Sequence, residues 1–95
     1  MVYLVTYDLN NEGKNYDAVI KAIKDSSNGV YCSFWRSSWL IKSESFTATE
    51  ILQRIKPHMD PDDRCLVIQV EDNKDGWLAP DEWEYINDSI FPFFS

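Results

Sequence analysis

Asp8 is the side chain best placed to do chemistry, because it closes a run from Val2 to Leu9 rich in Val, Tyr and Leu and is followed at once by a loop containing Gly13. A carboxylate at the tip of a strand can hold a cation, orient a water or accept backbone hydrogen bonds. Groups able to assist it are Tyr7 and Asn10 in the same segment, and Arg36, Ser37 and Ser38 in a later polar link. The spacing Asp8-x-Asn10-x-Glu12-Gly13 imitates the first half of an EF-hand calcium loop, but Val19 occupies the twelfth position, where a bidentate Glu is required. The loop also follows a strand, where an EF-hand needs a helix. The structural use of Asp8 would be an Asx turn bonding the backbone of the Asn10 to Gly13 loop. His58 and the cluster Asp60, Asp62 and Asp63 fall in a helix-to-strand turn, where such residues commonly bond their own backbone. Cys32 and Cys65, with one histidine and no Cys-x-x-Cys, make a zinc site within the chain improbable and read as small buried thiols.

Ninety-five residues, 44% of them hydrophobic and 15% aromatic, supply one core and one domain. No apolar run approaches the roughly 18 residues of a membrane span, and the start lacks the basic flank and cleavage site of a secretory signal. A cytoplasmic, membrane-free protein is the expectation. The net charge of −7 is unevenly placed: residues 71 to 88 carry seven carboxylates against Lys74, whereas residues 1 to 70 are close to neutral. Binding to a polyanion is driven by Lys and Arg releasing counterions, so the total disfavours nucleic acid without excluding a local contact.

Several elements must position these groups. Val2 to Leu9 alternates as a strand; from about Asn15, Tyr16, Val19, Ile20 and Ile23 recur at helical spacing until Ser26-Ser27-Asn28-Gly29. Val30 to Trp35 and Ser38 to Lys42 are strand-like, and their short polar link lacks Asn-Gly, which predicts a bulged or lengthened antiparallel turn. Thr47-Ala-Thr-Glu50 matches a capping box and opens a helix with Ala48, Ile51, Leu52 and Ile55 on one stripe, ending near Pro57. Arg64 to Val70 is a fourth, strongly apolar strand. The order β-α-β-β-α-β predicts an α+β, ferredoxin-like sandwich over residues 1–70: a four-stranded antiparallel sheet with two helices on one face. Cys32 and Cys65 then lie on opposite edges, too far apart to pair.

On the face left uncovered, Tyr3, Tyr7, Tyr31, Trp35 and Trp39 are expected to supply large side chains, and an exposed aromatic face marks a partner surface. Homodimerisation through it is the expectation. Residues 71–95 form an acidic, aromatic extension with a short helix after Pro80, and Trp77, Trp83 and Phe91 there are candidate packing or interface residues. Whether the extension packs on its own domain or on a second subunit stays open at this level.

The opening strand ending in Tyr7-Asp8-Leu9, the amphipathic helix, the hairpin with Ser37-Ser38-Trp39 and an Asp just before the last apolar strand resemble the small CRISPR-associated adaptation proteins of the Cas-two family. The chain is closer still to their SinR-like relatives, which carry Tyr-Asp-Leu-Asn near the start and a Ser-Thr-Trp-Leu-Ile hairpin. The resemblance covers about residues 1 to 70. It implies that Asp8 meets its symmetry mate across a dimer and holds a divalent metal, Mg²⁺, with Ser37 or Ser38 near a phosphodiester and Tyr7, Asn10 and Arg36 contacting the substrate. A neutral body with an acidic tail departs from the basic surface of a nucleic-acid binder. Two functions follow: a metal-dependent endoribonuclease, or a non-catalytic dimeric adaptor that binds a protein or nucleic acid through its sheet face or acidic tail.

Overall fold

The computed structural model of the chain describes residues 1–10 and 16–92; the loop through Gly13, the expected helix start at Asn15 and the Phe93-Phe94 end lie outside the described residues. Strand β1 (Val2–Asp8) leads to helix α1 (Tyr16–Ser26), then β2 (Tyr31–Trp35), β3 (Ser38–Lys42), α2 (Ala48–Ile55) and β4 (Arg64–Val70). Beyond them come α3 (Pro80–Tyr85) and a π-helical turn, Ile86–Ile90. The four strands form one sheet in the order β2-β3-β1-β4, with every neighbouring pair antiparallel. Among the described residues, no helix is long and apolar enough to cross a membrane.

Local chemistry explains the boundaries. Gly29, at φ +85°, takes the left-handed conformation that a side chain disfavours and so ends the segment after α1. Helix α2 starts with both bonds of the capping box: the Glu50 N–H donates to Thr47 Oγ1 at 3.2 Å and the Thr47 N–H donates to Glu50 Oε1 at 2.9 Å. The β2–β3 pairing shifts register between Cys32 and Trp35, the irregularity that the missing Asn-Gly foretold. The Asp60–Asp63 segment closes as a turn, with the Asp63 N–H donating to the Asp60 carbonyl at 3.1 Å and Asp63 Oδ2 accepting from the Asp60 N–H at 2.8 Å.

The helices cover one face, and the residues beneath them correct an expectation. Tyr3, Val5 and Tyr7 of β1 are buried with Ile41, Val19, Ile23, Ile51 and Ile55, while Tyr31 and Trp39 pack against this cluster. Tyr3 is only 4% exposed, so Tyr3, Tyr7, Tyr31 and Trp39 belong to the helix-side core and do not form an open aromatic face. The reason is parity: alternate residues of a strand share a face, Tyr3, Val5 and Tyr7 form the uniformly apolar set of β1, and the other set includes Thr6 and Asp8, so the helices cover the first. Each such side chain stabilises the fold by about 1.5–3 kcal/mol through removal from water. The Lys24 Nζ sits over the Tyr31 and Trp39 rings at 5.5 and 5.7 Å, a cation–π contact at the edge of this core.

The second face carries a smaller core of its own. Val2 and Cys32 are buried with Ile86, Ile90 and Phe91, and Leu40, Val70, Leu78, Trp83 and Tyr85 pack around them. The extension therefore lies across its own sheet, with Ile90 fully buried. Pro80 opens α3, where its missing N–H costs nothing, and the Ala79 N–H donates to Glu82 Oε1 at 2.9 Å. The cover is partial: Trp35, Leu66 and Ile68 on this face stay 38%, 54% and 46% exposed. Cys32 and Cys65 are free thiols on the two edge strands, about 14 Å apart at a strand spacing near 4.8 Å, too far for a disulfide.

Candidate functional site

Asp8 ends β1, and antiparallel pairing brings the β2–β3 turn to the same end of the sheet. The Tyr7 N–H donates to the Ser37 carbonyl at 3.1 Å, and Thr6 Oγ1 donates to that carbonyl at 3.3 Å. Ser38 Oγ donates to Thr6 Oγ1 at 3.0 Å, and Ser33 Oγ donates to the Ser38 carbonyl at 2.7 Å, which fastens the irregular hairpin. Asp8, Ser37 and Ser38 thus lie at one end of the sheet. The Ser38 hydroxyl is occupied by Thr6, and Ser37 engages through its backbone. Arg36 is exposed in the turn.

Two proposed substrate contacts are committed elsewhere. Tyr7 is 6% exposed; its hydroxyl accepts from Trp39 Nε1 at 3.4 Å, and its ring meets Tyr16 edge-on at 6.1 Å. Asn10 is pinned to the turn before β4: its N–H donates to Asp63 Oδ1 at 2.7 Å and its Nδ2 donates to Asp62 Oδ2 at 2.8 Å. Asn10 is therefore tethered by Asp62 and Asp63, which is how these two carboxylates satisfy its backbone and amide donors.

The residue that sequence reasoning passed over is Arg64. In the β1–β4 register Asp8 stands directly opposite Arg64, both exposed, and they border a shallow hollow of about 230 Å³ with Thr6, Tyr7, Cys65 and Leu66. The signal was present, because Asp8 ends one strand and Arg64 begins the strand that must pair with it. A guanidinium opposite a lone carboxylate competes with a metal ion for the same negative charge. Mg²⁺ favours one or two carboxylates plus waters, and Asp8 would supply one of them. Among the described residues, no three His, Cys, Asp or Glu side chains gather where they could hold a metal.

Nor do the thiols offer a nucleophile at neutral pH. Burial raises both Cys32 and Cys65 from an ordinary 9.0 to about 11, leaving the protonated form dominant.

A second, more enclosed feature lies between the extension and the sheet. A cleft of about 350 Å³ is lined by the apolar Leu4, Leu40, Val70, Leu78, Ile86 and Phe91, by Trp35 and Trp83, and by the carboxylates of Glu71 and Asp75. Lys74 lines it too, with its Nζ 4.8 Å from the Phe91 ring centre and in contact with the Asp72 carboxylate. A cation is thus already seated over an aromatic face beside a carboxylate, by the chain's own residue. Trp77, by contrast, is 99% exposed and packs nothing. Compared with protein-family models and with curated proteins, the chain matches no family model and no curated protein.

Proposed function

We propose that this chain is a non-catalytic dimeric adaptor on a ferredoxin-like βαββαβ scaffold related to the Cas-two family, which binds a basic segment of a protein partner through its acidic extension. The strand order β2-β3-β1-β4, with connections through α1 and α2, supports the ferredoxin-like reading. The observation that carries the adaptor reading is the cleft lined by Trp35 and Trp83 together with Glu71 and Asp75, where Lys74 already lies over the Phe91 ring. Aromatic side chains and carboxylates lining one cleft make a receptor for arginine or lysine side chains, which would displace Lys74 from the Phe91 ring and Asp72. The surrounding segment, at net charge −6, steers a cationic chain toward it.

Octa-arginine serves as the probe. Binding followed by tryptophan fluorescence should saturate, weaken as salt rises, and fall at least tenfold in the Glu71→Gln/Asp75→Asn double variant. An affinity unchanged in that variant overturns the adaptor reading.

The second reading, a Mg²⁺-dependent endoribonuclease, draws on the meeting of Asp8, Ser37 and Ser38 at one end of the sheet. It requires Asp8 carboxylates from two copies to share the metal, with Arg64 beside each. Incubation with single-stranded RNA and Mg²⁺ tests it: cleavage abolished by Asp8→Ala supports the nuclease, and cleavage that survives the substitution removes Asp8 from the chemistry.

A further inference from the structure

The sheet has two edges, and the chain treats them differently. At the β2 edge the Tyr85 hydroxyl accepts from the Tyr31 N–H at 3.3 Å and donates to the Tyr31 carbonyl at 2.8 Å. The register of β2 also breaks between Cys32 and Trp35. A blocked backbone and a bulge are two devices by which a protein prevents an edge strand from pairing with another chain. At the other edge neither is present. β4 runs seven residues in unbroken register with β1, from Val2 opposite Val70 to Asp8 opposite Arg64, without proline or glycine. Among the described residues, no hydrogen bond reaches the outward backbone groups of β4. Leu66 and Ile68, half exposed, lie next to that edge on the face that the extension leaves bare.

We propose that the β4 edge pairs antiparallel with the β4 edge of a second copy, joining two four-stranded sheets into one of eight strands. This rests on the dimeric part of the reading above and names its interface. The occupant follows from the strand's own pattern. Arg64 begins β4 and Glu71-Asp72 follow its end at Val70, so a two-fold axis through Ile68 brings each Arg64 toward Asp72 of the other copy, whose carboxylate it would share with Lys74. The same axis sets Ile68 opposite itself and Leu66 opposite the other copy's Val70, all on one face because alternate residues share a face. Charge and apolar surface therefore match in a single register, which an unrelated extended peptide would have to reproduce by chance.

A consequence separates this interface from a shared metal site. Asp8 lies beside Arg64, four residues from the axis, so the two Asp8 residues stand about 27 Å apart along the strands at a rise near 3.4 Å per residue. No ion bridges that gap.

Sedimentation velocity on the full chain between 1 and about 100 µM tests the pairing, with circular dichroism melts reporting folding. The parent protein should sediment as a dimer. Ile68→Lys, at a position half exposed already, should sediment as a monomer with its melting curve retained in shape. Should Ile68→Lys fail to fold, the charge cycle decides: Arg64→Glu should weaken association at least tenfold, and adding Asp72→Arg should restore it. A parent that stays monomeric at about 100 µM overturns both the edge and the dimeric reading. A dimer that persists unchanged in Ile68→Lys and in Arg64→Glu overturns the edge alone. Neither result touches octa-arginine binding, which stands or falls on the cleft.

Discussion

Replacing Ile90 by alanine probes whether residues 71–92 belong to the domain or merely lie upon it. Ile90 is fully buried, in a cluster with Val2, Cys32, Ile86 and Phe91. The substitution removes three carbon atoms from that cluster, about 2.4 kcal/mol of transfer free energy at about 0.8 kcal/mol per carbon. A residual cavity raises the cost within the range of about 2–5 kcal/mol measured for such truncations. Taking about 3 kcal/mol against the 5–15 kcal/mol of a typical domain, the variant still folds. For a chain of this size each kcal/mol lowers the melting temperature by about 4–8 °C, so a drop of about 12–24 °C is expected. Urea titration should give one transition, coincident by tryptophan fluorescence and far-ultraviolet circular dichroism. The fully exposed Trp77, replaced by alanine, should stay within about 0.5 kcal/mol and serves as the control. A drop below about 3 °C, or a fluorescence transition that precedes the loss of the sheet, would refute the view that the extension completes the second core.

Tyr85→Phe removes the hydroxyl that holds both Tyr31 backbone groups; it should cost about 1–3 kcal/mol and speed exchange of the Tyr31 amide at least tenfold, and unaltered exchange would show that the contact does not protect β2. The raised thiol values of Cys32 and Cys65 predict alkylation about a hundredfold slower, per thiol, in the folded than in the unfolded protein at neutral pH, measured with iodoacetamide with and without urea. Because a folded-state value above the unfolded one favours folding only while the thiols stay protonated, their contribution is complete below pH 9 and lost between pH 9 and about 11. Stability flat across that interval, measured by urea titration, would contradict the burial of the two sulfurs.

The element order was legible because each boundary carries its own chemical mark. Thr47 and Glu50 announce α2, Gly29 closes the segment after α1, and the apolar run Arg64–Val70 coincides with β4. Which face of β1 met the helices was marked only by Thr6 and Asp8, since Val2 and Leu4 are as apolar as Tyr3 and Val5 and both faces end up covered to different extents. The expected aromatic surface at Tyr3, Tyr7, Tyr31 and Trp39 was lost to that ambiguity; Trp35, bordering the cleft, is the residue of that set which stays on the other face. At the end of β1, the gathering of Asp8 with Ser37 and Ser38 could be read from strand pairing. The pinning of Asn10 by Asp62 and Asp63 could not, because those residues are more than fifty positions apart and belong to two loops whose approach no local pattern encodes.

Tyr85 has a consequence for stoichiometry. A sheet open at both edges can recruit copies without end, and growth of that kind leads to fibres. If the β4 edge is consumed by the proposed two-fold contact, the phenol and the bulge at the β2 edge leave no second edge to extend, and assembly would terminate at two. The Tyr85 hydroxyl, on a six-residue helix, would together with that bulge set the boundary between a closed pair and an open polymer.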